Sequence, residues 1–265
     1  MRVGIITGTG TYRLPGLAAE PPRDVETPYG PALLTPGRAG DLEVIHVSRH
    51  GEGHPRLSNH VNHRANVWAL AEAGVDAVLA VTVCGAVDAS IPLGSLVVFD
   101  DLHFLSNRLP DGSLCTFHTE PGEPRRGHWI FDHPFSEPLR RALVDGAQAA
   151  DLPVRGGGCY GHVDGPRFNT RSEIRLLAGA GVSAVSQTAG PETVLAGEAE
   201  LPLALLGYAT DYANGVASEP TAVEDLLRLI GQSGEVFSAV LAEALPRLEV
   251  AALGPTGVNY RFEEL

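Results

Sequence analysis

Apolar residues along the chain fall into two alternating patterns. Short β-branched runs predict strands at Arg2–Thr7, Leu42–Val47, Ala77–Val83, Leu96–Phe99, Ala184–Ser186 and Leu201–Thr210. Between them, apolar positions recur at helical spacing. Val61–Ala73 carries Val61, Ala65, Leu70 and Ala71 on one stripe. Ser136–Ala150 opens with Ser136 as N-cap and Glu137-Pro138 in its first turn. Shorter helices are predicted to start at Ser172–Leu177 and Pro191–Gly197, and a long amphipathic one covers Val223–Leu245. Strands alternating with helices over the whole length predict one α/β domain, residues 1–265, around a central mixed, mostly parallel sheet flanked by helices. The segment Asn107–His128 is rich in Pro, Gly and Arg, and is expected to be a functional loop or a subunit contact.

Composition narrows the class. With 265 residues, 44% hydrophobic and 19% charged, the chain can bury a substantial core and is not disordered. Its most apolar stretch, Ala77–Val87, is too short to span a bilayer. The opening MRVGIITGTG reads as a strand entering a Gly-rich turn rather than as a signal peptide. A net charge of -13 argues against nucleic-acid partners and requires any anionic substrate to be held by a local positive site. All 19 basic residues are Arg, so Schiff-base and Walker-type lysine chemistry is excluded. Cys84, Cys115 and Cys159 lack metal-ligand spacing and read as reduced cytoplasmic thiols.

Candidate chemistry sits at the ends of predicted strands, where open α/β sheets bind ligands. Thr7-Gly8-Thr9-Gly10 offers backbone N–H groups and hydroxyls to an anion; Arg13 occupies the position at which a dinucleotide fingerprint needs a third Gly. Ser48-Arg49-His50-Gly51 combines a guanidinium fork with a neighbouring imidazole expected to add a donor. Thr82-Val83-Cys84-Gly85 reads as a small-residue exit from a core strand. In Gly165-Pro166-Arg167-Phe168-Asn169, Phe168 can stack on a planar heterocycle while Asn169 bonds its edge. Ser186-Gln187-Thr188 precedes a helix N-terminus, another anion-binding geometry. Asp211, ending a strongly apolar strand, is either an N-cap or a carboxyl whose pKa a dry pocket raises.

These motifs, together with His63-Arg64-Ala65-Asn66-Val67-Trp68-Ala69-Leu70, Pro191-Glu192 and Ala209-Thr210-Asp211-Tyr212, stand in the order found in the trimeric purine nucleoside phosphorylase family. Over roughly Val3–Leu245 the chain most resembles the methylthioadenosine phosphorylase branch. The resemblance implies a cytoplasmic homotrimer, or a dimer of trimers, that cleaves a purine nucleoside with inorganic phosphate as co-substrate and neither metal nor organic cofactor. It places phosphate at Thr9, Arg49, His50, Thr82 and Thr188, and ribose and base at Val83, Cys84, Phe168, Asn169, Gln187 and Asp211. His54, Val223 and Leu226 then line the 5' pocket, with His128 reaching in from a neighbouring subunit. Gln187 replaces a Met packed under the ribose, Ala213 a second Asp, and Asn169 either Ser or Glu. Asp211 favours a 6-aminopurine such as 5'-methylthioadenosine. A 6-oxopurine phosphorylase is the alternative, followed by a nucleoside hydrolase and a non-catalytic nucleotide-binding protein.

Overall fold

The computed structural model describes residues 1–14, 16–124 and 126–262. Its first half contributes β1 (Arg2–Thr7), β2 (Ala18–Ala19), β3 (Arg23–Thr27), β4 (Gly30–Ala39), β5 (Leu42–Ser48), α1 (His63–Glu72), β6 (Ala77–Ala86), β7 (Leu96–Val98), β8 (Asp101–His103) and β9 (Gly127–Phe131). The second half adds α2 (Glu137–Ala149), β10 (Val154–Arg155), β11 (Cys159–His162), α3 (Arg171–Gly179), β12 (Val182–Ser186), α4 (Ala189–Glu198), β13 (Leu203–Tyr212), α5 (Val223–Ala244) and β14 (Gly257–Arg261). The result is the expected α/β domain with a mixed sheet, parallel at its centre.

The main path runs β10-β7-β13-β6-β1-β5-β4-β2, and β13, β6, β1 and β5 are mutually parallel. Alternation along these strands builds a core on each face. Val3, Ile5, Leu79 and Leu206 pack with Leu143 of α2 and Phe237 and Leu241 of α5. Ile6, Ala80 and Leu205 turn the other way, into the layer that holds Leu70 of α1 and Leu195 of α4. Because both faces are covered, the central strands read as continuous apolar runs.

Several boundaries differ from expectation for local reasons. Helix α1 begins at His63, since the Asn62 side chain accepts from Ala65 N at 3.1 Å and caps it. Helix α3 begins at Arg171 behind a reciprocal capping box between Thr170 and Glu173. Ser136 occupies the N-cap position of α2, although its side chain makes no capping bond. Cys84-Gly85 does not end its strand: β6 continues to Ala86, pairing β13 along one edge and turning Gly85–Ala86 onto antiparallel β12. Strand β13 runs on to Tyr212, which places Asp211 inside a strand and removes the N-cap reading.

Residues 114–117 tie the 107–128 segment to its own chain, while residues 119–122 are exposed. Arg64 donates to the carbonyls of Leu114 and Thr116, both at 2.7 Å, Tyr29 donates to that of Phe117 at 2.8 Å, and Cys115 and Phe117 are buried.

Candidate active site

The ends of β1, β5, β6, β12 and β13 converge on a cavity of about 280 Å³, near the small end of the range for small-molecule sites. It gathers Thr9, Arg49, His50, His54, Thr82, Val83, Cys84, Phe168, Asn169, Gln187, Thr188, Asp211 and Leu226 from the sequence-derived set. Two members of that set lie elsewhere. Val223 opens α5 beyond the rim and is 62% exposed, while Leu226 and Ile230, further along the same helix face, line the cavity. His128 sits exposed on β9, opposite Tyr260 of β14 and edge-on to Phe262.

Arg49 is the most constrained of these side chains. Fully buried, it donates from Nε and one terminal nitrogen to the two oxygens of Glu192, at 2.7 and 2.8 Å, and from Nη1 to the Val81 carbonyl at 2.9 Å. The fork expected to be free for an anion is thus closed on a carboxylate, and only one N–H on each terminal nitrogen is uncommitted. Nη1 lies against Gly8, where any Cβ would collide with it. Burial opposes the charge on Glu192, but Arg49 and then His63 outweigh it and hold the carboxyl low. The sequence signal was a lone acid in the apolar run Ala189–Gly197: a Glu buried in a helix demands a cation.

His50 also departs from expectation. Its Nδ1 lies 2.8 Å from the Arg56 carbonyl, which can only accept, so the ring proton is spent there. Burial and then Arg49 push the ring down to about 4, leaving it neutral with Nε2 as an acceptor rather than the expected donor. Its ring stacks on His54, whose Nδ1 meets the Tyr12 hydroxyl at 3.0 Å. Thr82 Oγ1 donates to the Val83 carbonyl and pairs with Ser186 Oγ at 2.8 Å. Thr188, the N-cap of α4, makes no side-chain capping bond, so its hydroxyl remains available to an anion; in the turn behind it the Ala189 N–H already donates to the Tyr160 hydroxyl at 3.2 Å, and Pro191 has no N–H to offer.

Asp211 follows an irregularity in β13 and lies in register with Gly85 of β6. Burial pushes its carboxyl up, against a 3.0 Å hydrogen bond donated by Thr210 to Oδ1. Beside it, burial and Asp211 raise the Cys84 thiol beyond any working range, so Cys84 is no thiolate nucleophile. Ser58 and Ile230 also line the cavity, and no local sequence signal marks either. Among the described residues, no group of three His, Cys, Asp or Glu side chains is placed to hold a metal, and no helix is long and apolar enough to cross a membrane.

Residues 2–246 match the model of the phosphorylase superfamily. The chain is 32% identical to the 6-oxopurine nucleoside phosphorylase of Pyrococcus furiosus over 251 residues, 92% of each chain. It is equally 32% identical to the S-methyl-5'-thioadenosine phosphorylase of the same organism, over 93% of each. The methylthioadenosine phosphorylase of Schistosoma mansoni in complex with adenine superposes with a TM-score of 0.83 at 29% identity, covering 93% of this chain and 91% of that one. With a family model spanning nearly its whole length and relatives of matching extent, this chain belongs to the phosphorylase superfamily, among the nucleoside phosphorylases that act as pentosyltransferases.

Proposed function

We propose that the protein cleaves purine nucleosides by phosphorolysis, favouring 6-aminopurine nucleosides with a small apolar 5' substituent such as 5'-methylthioadenosine. The observation that carries this reading is the spacing of two chemistries along β6. Arg49 is anchored to the Val81 carbonyl, and Asp211 lies beside Gly85 four residues on, roughly 13 Å at the rise of a strand. A sugar bridges an anion at one end to a heterocycle at the other.

Thr9, Thr188 and the two uncommitted N–H groups of Arg49 hold phosphate, and the hydroxyl of HPO4²⁻ donates to Nε2 of His50. As the glycosidic bond breaks, the sugar becomes cationic and the purine anionic. Phosphate stabilises the sugar cation and captures C1', while protonated Asp211 donates to N7. The carboxyl's raised pKa favours the donor form, and that form is lost as pH rises through it. Its other oxygen accepts from a 6-amino group, whereas a 6-oxo base would set two acceptors face to face. Phe168, 62% exposed at the cavity mouth, stacks on the base, and Asn169 bonds its edge. Leu226 and Ile230 offer no hydrogen bond to a 5' hydroxyl. The assembly proposed is a homotrimer in which exposed His128 serves a neighbour's cavity.

A panel of adenosine, inosine, guanosine and 5'-methylthioadenosine tests the specificity. The wild type should favour the aminopurines, and Asp211→Asn should move the kcat/KM ratio toward 6-oxopurines by about ten- to a hundredfold. Better cleavage of inosine or guanosine by the wild type would overturn the aminopurine reading.

A further inference from the structure

Ser58 and Gln187, 129 residues apart in sequence, meet in the cavity wall. Gln187 Nε2 lies 3.2 Å from the Arg167 carbonyl, which can only accept. That contact orients the amide and points Oε1 at Ser58, whose hydroxyl donates to it at 2.8 Å. The pair is clamped from a third side: a Cβ on Gly165 would collide with both Oε1 and Ser58 Oγ. Three elements therefore hold one carboxamide in one orientation. Its bonds leave one N–H on Nε2, one lone pair on Oε1 and the lone pairs of Ser58 Oγ unspent at the cavity wall. Donor and acceptors lie side by side.

Their position selects what they meet. Gln187 follows Ser186, which bonds Thr82, and precedes Thr188 at the anion end; its amide is tied to Arg167, next to Phe168 at the base end. The part of a nucleoside between phosphate and base is the furanose, whose 2' and 3' hydroxyls form a vicinal diol. We propose that Ser58 and Gln187 read this diol as a unit and make the enzyme discriminate against 2'-deoxynucleosides. The inference rests on the nucleoside reading given above. A deoxy substrate leaves a half-buried amide function without its partner, and sites built around a substrate hydroxyl reject the analogue lacking it.

The test compares kcat/KM for adenosine with 2'-deoxyadenosine, and for inosine with 2'-deoxyinosine, each with and without inorganic phosphate. The wild type should prefer the ribonucleoside by at least about tenfold. Gln187→Met, which installs the apolar residue of the resembled family, should shrink that preference about tenfold, with the loss concentrated in the ribonucleosides. Ser58→Ala, a smaller change, should shrink it less and guards against a Gln187 variant that fails to fold. A wild-type ratio near one, or an unchanged ratio in the folded variants, overturns the inference. The phosphate arms report separately on the reaction: base release that ignores phosphate overturns phosphorolysis and leaves the sugar ratio readable.

Discussion

At the scale of single residues, the site is organised around a charge that is already neutralised. Arg49 spends its fork on Glu192, so anion affinity has to come from its two uncommitted N–H groups and from hydroxyls rather than from a free cation. This suits a chain with a net charge of -13: the pair fixes a donor without needing a second exposed base. Removing one partner strands the other. Glu192→Ala should destabilise the fold by about 3–5 kcal/mol, read from urea unfolding, because it leaves Arg49 charged and unpaired in the interior. Replacing both, as in Arg49→Met with Glu192→Leu, should recover most of that stability and still raise the phosphate KM. If the double variant uses phosphate like the wild type, Arg49 has no part in the anion site.

At the scale of elements, the apolar strands and long helices were legible because burial on both sheet faces leaves unbroken runs such as Ala77–Val83 and because α2 and α5 show one apolar stripe each. Polar and short strands were not. Strands β3 and β4 carry Arg, Asp, Glu, Pro and Gly in an antiparallel ribbon at one side of the sheet, and β8, β10 and β11 have four residues or fewer. Such segments gain their structure from neighbours rather than from local pattern. The same division holds at the site. Motifs at strand ends announced themselves through Gly, Thr and Asp, whereas Ser58 and the pairing of Arg49 with Glu192 depend on approaches across 129 and 143 residues. Val223 resembled a pocket residue, yet α5 starts one turn too far out for it. The β9–β14 ribbon presents His128, Ile130, Val258 and Tyr260 on one exposed face. Light scattering at assay concentration should give the mass of three chains; an active monomer would contradict a role for His128 in a neighbour's site.

At the scale of the whole molecule, the interior holds histidines that fold in the neutral form. Burial pushes His46 down to about 4, with Arg49 adding to the effect, and His50 is held at the same value. Both are almost fully buried. Their folded pKa lies below the unfolded value, so the unfolded chain binds more protons, and the stability they contribute is complete above about pH 6.5. It is lost as pH falls toward about 4, by up to about 1.4 kcal/mol per pH unit for each ring. Urea midpoints should therefore drop between pH 7 and pH 5, and substituting His46 by an uncharged residue of similar size should flatten that slope. Phosphate should oppose the drop if it binds beside His50, since a ligand of the folded state stabilises it. The proposed reaction is defined by the bond that is cleaved and the nucleophile that takes the sugar. Phosphorus NMR of the protein incubated with a purine nucleoside and inorganic phosphate tests it most directly. Phosphorolysis predicts a sugar 1-phosphate resonance that grows in step with free base, and no base release when phosphate is withheld. Base released at the same rate without phosphate, with no phosphorylated sugar, would contradict it.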